Sequence, residues 1–186
     1  CTHLFPAWYL GNNPNHKYIQ AGHTQDFVDE EFGKKVRGII ASEAYHNIFP
    51  DVGLDPFSKA ASRFAIAGHR GKYLGRGVGG GISGFRANCA AVDDPFASRE
   101  DAESPQIRKK VHDWFNADLT TRLLPRSPLF IVATRWHTDD LCGRIEKSNE
   151  EKKDDPNNIP YLIVNLPAIA EGENDPIGRV EGEPLW

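Results

Sequence analysis

Two short apolar runs, each broken off by ionisable residues, constrain this chain more than any other feature. Cys89 to Val92 runs into Asp93-Asp94-Pro95. Leu129 to Ala133 runs into Thr134-Arg-Trp-His-Thr-Asp-Asp140. A strand of four or five apolar residues, ended abruptly, suits the interior of a parallel sheet covered on both faces. Between the two runs lies Ser104 to Leu124. There Ile107, Val111, Trp114, Phe115 and Leu119 share a face at helical spacing, while Arg108, Lys109 and Lys110 form a solvated one. Strand, helix, strand in this order predicts an α/β fold with a mainly parallel sheet flanked by helices. Ligands of such sheets bind beyond the carboxyl ends of the strands, where both polar tips fall.

The remaining segments fit that frame. Residues 1 to 11 read as a short helix ending near Gly11, with Pro6 either in its first turn or marking a kink. Lys17 to Ala21 is a strand. Thr24 to Ile40 is a helix capped by Thr24 or Asp26, with apolar residues at Phe27, Val28, Phe32, Val36, Ile39 and Ile40. Tyr45 to Pro50 is a loop or short helix. Residues 62 to 75 form two strands around the turn Gly68 to Gly71. Pro125 to Pro128 breaks the long helix, Asp139 to Asn149 is another helix, and 150 to 158 is a solvated loop. Ile159 to Leu166 is a last strand.

The 186 residues suffice for one domain with a real core. No apolar run is long enough to span a bilayer, and no signal-peptide pattern opens the chain. Three cysteines far apart argue against a disulfide framework or zinc knuckle and fit a reducing compartment. A net charge of −4 argues against a strongly basic DNA-coating protein and leaves room for local basic patches.

Each motif has a chemical and a plain reading. Asp93 at a strand tip can hold Mg²⁺, largely through water, and Asp94 can orient or deprotonate a water attacking a γ-phosphate; equally, Asp-Asp-Pro is a turn that ends a strand. Thr134 can sense a phosphate oxygen, and Arg135 and His137 can bind phosphate; equally, Trp136 can anchor an ordinary loop exit. His137 with Asp139 and Asp140 has unspecific metal-ligand spacing. Gly79, Gly81 and Gly84 satisfy G-x-G-x-x-G, but that pattern should open a helix, and here it runs into another strand. A flexible loop carrying Arg76 and Arg86 near the acidic tip, or a wide connection needing positive φ, fits better. Lys34, Lys35, Arg37 and Arg108 to Lys110 read as solvated helix faces, or as contacts to DNA phosphates.

Taken together, FPAWYLGNNP, FGKKVRGII, YLGRGVGGGISGFRANCAAVDDPF, ESPQIRKKVHDWFNADLTTRL, VATRWHTDDLCGRI and NLPAIAEG resemble the ATPase domain of the large terminase subunit of tailed bacteriophages and prophages. The resemblance runs along nearly the whole chain. It implies a P-loop NTPase-like fold of the ASCE type and a motor that uses ATP and Mg²⁺ to drive double-stranded DNA into a procapsid. It also implies a homo-oligomeric ring with portal protein and small terminase subunit as partners. The place implied is the host bacterial cytoplasm, with transient docking on the procapsid and no membrane.

Residue by residue, the resemblance makes Asp93 the magnesium-associated Walker B acid and Asp94 the catalytic acid, both near the metal. Many terminases carry Glu at the position of Asp94. Thr134 resembles the coupling motif. Arg86, Arg99 and Arg135 are candidates for phosphate contact or for an arginine finger. No G-x-x-x-x-G-K-[ST] occurs in the sequence, and the expectation is a fragment: residues 1 to 186 as a partial motor domain, without the phosphate loop and the C-terminal nuclease domain. The alternatives are an inactive remnant, another P-loop enzyme such as a helicase, or, more distantly, a metal-dependent hydrolase using Asp93, Asp94, His137 and Asp140.

Overall fold

The structure, a computed structural model, describes every residue except Cys1, Asn157, Glu173 and Asn174. The chain divides into two compact units, Cys1–Cys142 and Gly143–Trp186.

The first unit is built on a five-stranded sheet of order β2-β3-β1-β4-β5: β1 (Lys17–Gly22), β2 (Arg63–Ala65), β3 (Lys72–Gly77), β4 (Cys89–Asp93) and β5 (Leu129–Val132). β3, β1, β4 and β5 run parallel, and β2 joins β3 antiparallel through the turn at Gly68. This is the mainly parallel α/β sheet expected from the sequence. β1 and β4 lie at its centre and are buried along almost their whole length. Alpha-helix α1 (Leu4–Asn12) crosses one face, with Pro6 in its first turn, where a missing N–H costs nothing. Beneath it, Tyr73 is stacked between Phe64 (4.6 Å) and Tyr18 (6.1 Å). Ala7, Leu10, Val36, Ile40 and Cys89 complete that part of the core.

Residues 25 to 40 form one helical run in three parts: α2 (Gln25–Phe27), a π-helical stretch (Val28–Gly33) and α3 (Lys34–Ile40). Thr24 caps it, accepting from the Phe27 N–H. The buried residues Val28, Phe32, Val36 and Ile40 recur every four positions. A pure α-helix would rotate that row by about 40° a step, and the wider π turn takes up part of the drift. Glu43–Ile48 is a short helix, α4. Lys34 and Lys35 pair with Glu30 and Glu31 one turn back, as a solvated face does, while the Arg37 guanidinium donates to the Ser58 carbonyl.

After β4 comes a helix the sequence reading left out, α5 (Arg99–Glu103), capped by Ser98. Ser104 caps the next, α6 (Pro105–Trp114), which continues through Phe115–Leu119 and Thr120–Arg122 as π and 3₁₀ turns. Arg108 departs from expectation. It is not on the solvated face: its side chain is 10% exposed and donates to the Ala102 carbonyl and to Asp139. A guanidinium can be buried when its donors find acceptors, whatever the helical wheel suggests.

Two strand assignments also change. β5 is half exposed rather than buried, because it is the last strand of the sheet and Phe130 and Val132 face outward. Ile159 to Leu166 is not a strand. It has no ladder partner among the described residues, and Ile159 and Leu162 are almost fully exposed. Helix α7 (Leu141–Glu151) starts at the end of the first unit. Within the second unit, Asn149 bonds both main-chain groups of Tyr161, Ile169 bridges Pro184, and Arg179 pairs with Asp175. No helix among the described residues is long and apolar enough to cross a membrane.

Candidate functional site

Three parallel strands end side by side and place their polar tips together. Asp93 lies in register with Val132 of β5, and Gly22 ends β1 one position beyond the Ala21–Val92 pair. A side chain at Gly22 would meet Phe27, Val28 and the Asp93 carbonyl within about 3 Å, so the tips can close up only around glycine.

Asp94 is the centre of the arrangement. Its backbone is left-handed, with φ of 43°, a conformation few residues other than Gly, Asn and Asp adopt. All three of its polar groups are used. Its N–H donates to the Val132 carbonyl at 3.0 Å. Its carboxylate accepts from the Thr134 N–H at 3.1 Å. Its carbonyl lies 3.2 Å from Nδ1 of His23. Asp94 thus ties β4 to the tips of β1 and β5 on either side. His23 is fixed in turn by its ring contact with Phe27 at 4.1 Å.

Asp93 sits half buried beside it. Burial raises its carboxyl above the ordinary range, a hydrogen bond from Thr2 opposes the rise, and the neighbouring Asp94 charge adds to it. The residues just ahead of α1 therefore arrive at this same edge. An ionised Asp93 is poorly solvated here, and a cation alongside would relieve it.

The loop after β5 folds around Asp140, which is 3% exposed. One oxygen of its carboxylate accepts from Arg135 Nε, and from the N–H groups of Trp136 and His137. His137 Nδ1 accepts from the Asp139 N–H. Asp139 is held by Arg108 of α6.

Of the residues singled out in the sequence, the structure brings Asp93, Asp94 and Thr134 together. Thr134 does so through its main chain. Arg135 follows, with its guanidinium directed to Asp140. Arg86 is elsewhere: it precedes β4 at the amino end, and the extended chain from Ala87 to Asp93 covers about 20 Å. Arg99 begins α5 and pairs with Glu103. His23 and Gly22 were missed, although they directly follow the strand expected over Lys17 to Ala21, at the end where such sheets bind ligands. Asp140, offered from its spacing only as a remote candidate ligand, closes a loop.

Among the described residues, no three His, Cys, Asp or Glu side chains are grouped to hold a metal ion, so the four-residue hydrolase site is not assembled. Mg²⁺ asks for less: one or two carboxylates, with waters and phosphate oxygens completing its shell. Asp93 and Asp94 fit that demand. A groove of about 490 Å³ runs along α6, between Gly79, Lys110 and Trp114.

No family model matches the chain, and no curated protein matches it. Among solved structures it is similar to the crystal structure of the HK97 bacteriophage large terminase, at 15% identity and a TM-score of 0.45. The similarity covers 84% of this chain and 30% of that one, so the chain spans under a third of its length. A likeness that loose carries no weight for function.

Proposed function

We propose that this chain is part of an ATP-hydrolysing motor that moves double-stranded viral DNA into a procapsid. The observation that carries the reading is the Asp94 junction: two adjacent acids at a buried strand tip, one of them bonded to the next strand's exit at Thr134. The motif order in the sequence, from the glycine segment through Asp-Asp-Pro to Thr-Arg-Trp-His, supports the same assignment.

The metal, when bound with nucleotide, would supply charge neutralisation at the phosphates. Asp93 is the residue to hold it, since a nearby cation offsets the burial that disfavours its charge. Asp94 is the residue to orient the attacking water and take its proton. One of its oxygens is engaged by the Thr134 N–H, which aims the other. A change at Asp94 is felt at Thr134 and along the loop to Asp140. Arg135, close by on that loop, is the nearer of the predicted arginines to a phosphate; Arg86 is too far along β4 to serve within one copy.

The phosphate cradle is not among these residues. Among the described residues no strand pairs with the outer edge of β5, and the start of α1 lies beside Asp93. One more parallel strand on β5, looping into α1, would bring main-chain N–H groups to that point. A sequence without G-x-x-x-x-G-K-[ST] equally supports a second reading, an inactive remnant. The further parts of the proposal follow the same motifs: a homo-oligomeric ring, the portal protein and small terminase subunit as partners, and action in the host bacterial cytoplasm.

The test is Mg²⁺-dependent phosphate release and ATP binding, measured on this chain and on a chain extended by its upstream coding sequence. The extended form should hydrolyse ATP, and Asp94→Asn should abolish turnover while keeping ATP binding. Normal hydrolysis in Asp94→Asn would remove Asp94 from the role. An upstream sequence with no phosphate loop would leave the remnant reading.

A further inference from the structure

The opposite edge of the sheet has a different character. Lys17 opens β1 and Lys72 opens β3, paired in register on neighbouring strands. Arg70 lies in the turn before β3, its N–H bonded to the Asn15 side chain. Arg86 precedes β4, Arg126 precedes β5, and Arg122 holds the Ala87 N–H through its carbonyl. Six cations therefore line the amino ends of four strands, a front of about 14 Å at the usual strand spacing.

Among the described residues none of the six forms an ion pair. The segments that supply the sheet explain why: no Asp or Glu occurs before Asp26, between 56 and 92, or between 119 and 138. The acids that approach are Asp51, whose carbonyl faces His69, and Asp118, four residues ahead of Arg122. Arg70, Arg86 and Arg126 are exposed, and the Lys17 ammonium lies 5.6 Å over the Phe85 ring. In a chain of net charge −4 this concentration is not an average property. Like charges in register on adjacent strands also repel, a cost that a bound polyanion would remove.

We propose that this amino-end edge is a sequence-independent contact for the phosphodiester backbone of a nucleic acid. The row suits a polymer that carries a charge every few ångströms, and nothing in it reads base edges. The inference stands on the edge alone and survives if the acidic tips hydrolyse nothing.

The experiment is anisotropy of a labelled duplex of arbitrary sequence, titrated with the full 186-residue chain between about 50 and 200 mM salt. The wild type should bind, with log K falling linearly in log salt. Arg70→Ala/Arg86→Ala/Arg126→Ala, changed only at exposed positions, should lose about 2 to 3 from the magnitude of that slope, near 0.9 per contact. Lys34→Ala/Lys35→Ala, on the helix α3 side, should match wild type. An unchanged slope in the triple variant, or an equal loss in the lysine control, overturns the assignment. So does a wild type that binds no duplex. Sedimentation makes one further cut: if the chain self-associates without binding duplex and the triple variant abolishes this, the edge is an interface between copies.

Discussion

Arg108 offers the clearest test of how the site is held. It was read from the sequence as part of a solvated basic face, and the structure buries it. Its Nη1 donates to the Ala102 carbonyl at 2.6 Å and its Nε to Asp139 at 3.1 Å. Arg108→Met keeps most of the alkyl packing and removes both bonds. A hydrogen bond from a charged donor is worth about 1.5–3 kcal/mol, and the buried Ala102 carbonyl has no water to replace it. The Asp139 contact is half exposed and adds about 0–1 kcal/mol. Lost together, they predict a destabilisation of about 2–3 kcal/mol, set against the desolvation relieved by removing a buried charge. For a chain of this size that is about 5–10 °C in Tm.

The assay is urea and thermal unfolding by circular dichroism, with Lys109→Met as control. Lys109 is exposed and pairs along its own helix with Asp113, so its loss should stay within about 0.5 kcal/mol. Asp139→Asn separates the two bonds and should cost about 1 kcal/mol or less. If Arg108→Met proves as stable as the Lys109 control, the reasoning from its two bonds is refuted, and with it the part given to α6 in holding Asp139.

Asp93→Asn should stabilise the chain at neutral pH. Burial raises the folded carboxyl above its unfolded value, so stability is lost as pH rises through the folded pKa, and Asn escapes that loss; the gain, read as the urea midpoint, should vanish below about pH 4, where Asp93 is protonated in both states. Burial pushes the Cys89 thiol up to about 12, so a disulfide reagent at about pH 8 should leave Cys89 unmodified in the folded chain and label it once urea unfolds the sheet; rapid labelling of native protein at Cys89 would contradict the buried central strand.

What was legible in the sequence was local chemistry with a strong period. The strands at Cys89 to Val92 and Lys17 to Ala21 followed from the residues and are present; of the two caps offered, Thr24 and Asp26, Thr24 is the one used; and the helix expected over Ser104 to Leu124 runs from Pro105 to Arg122, its last turns π and 3₁₀. The two acids at the tip of β4 were legible for the same reason. The partners of those acids were not. His23 reaches Asp94 across 71 positions of sequence and Thr134 across 40. Nothing in a one-dimensional pattern places those groups against a left-handed Asp94. Arg86 was misjudged by sequence proximity, since eight residues from Asp94 along an extended chain means the far end of the strand rather than a neighbouring position.

The failures at β5 and at Ile159 to Leu166 have one physical root. Both segments carry strand-like apolar residues, and the sequence reading took composition as sufficient for burial. Burial of a strand needs a neighbour on each side and a layer on each face. Among the described residues β5 has β4 on one side and no strand on the other, and Phe130 and Val132 remain outward, with Phe5 of α1 touching the Phe130 ring at 4.9 Å. Residues 159 to 166 have no ladder partner among the described residues, and their apolar side chains stay in water. A periodic sequence states what a segment would bury if a partner were at hand. Whether the partner is present belongs to the rest of the fold. An edge strand with outward apolar residues is a place where another strand can add, and the same feature makes it prone to unwanted pairing. The proposed phosphate loop would put a sixth strand there, and would cover the outer edge of β5 and deliver donors to Asp93 in one step.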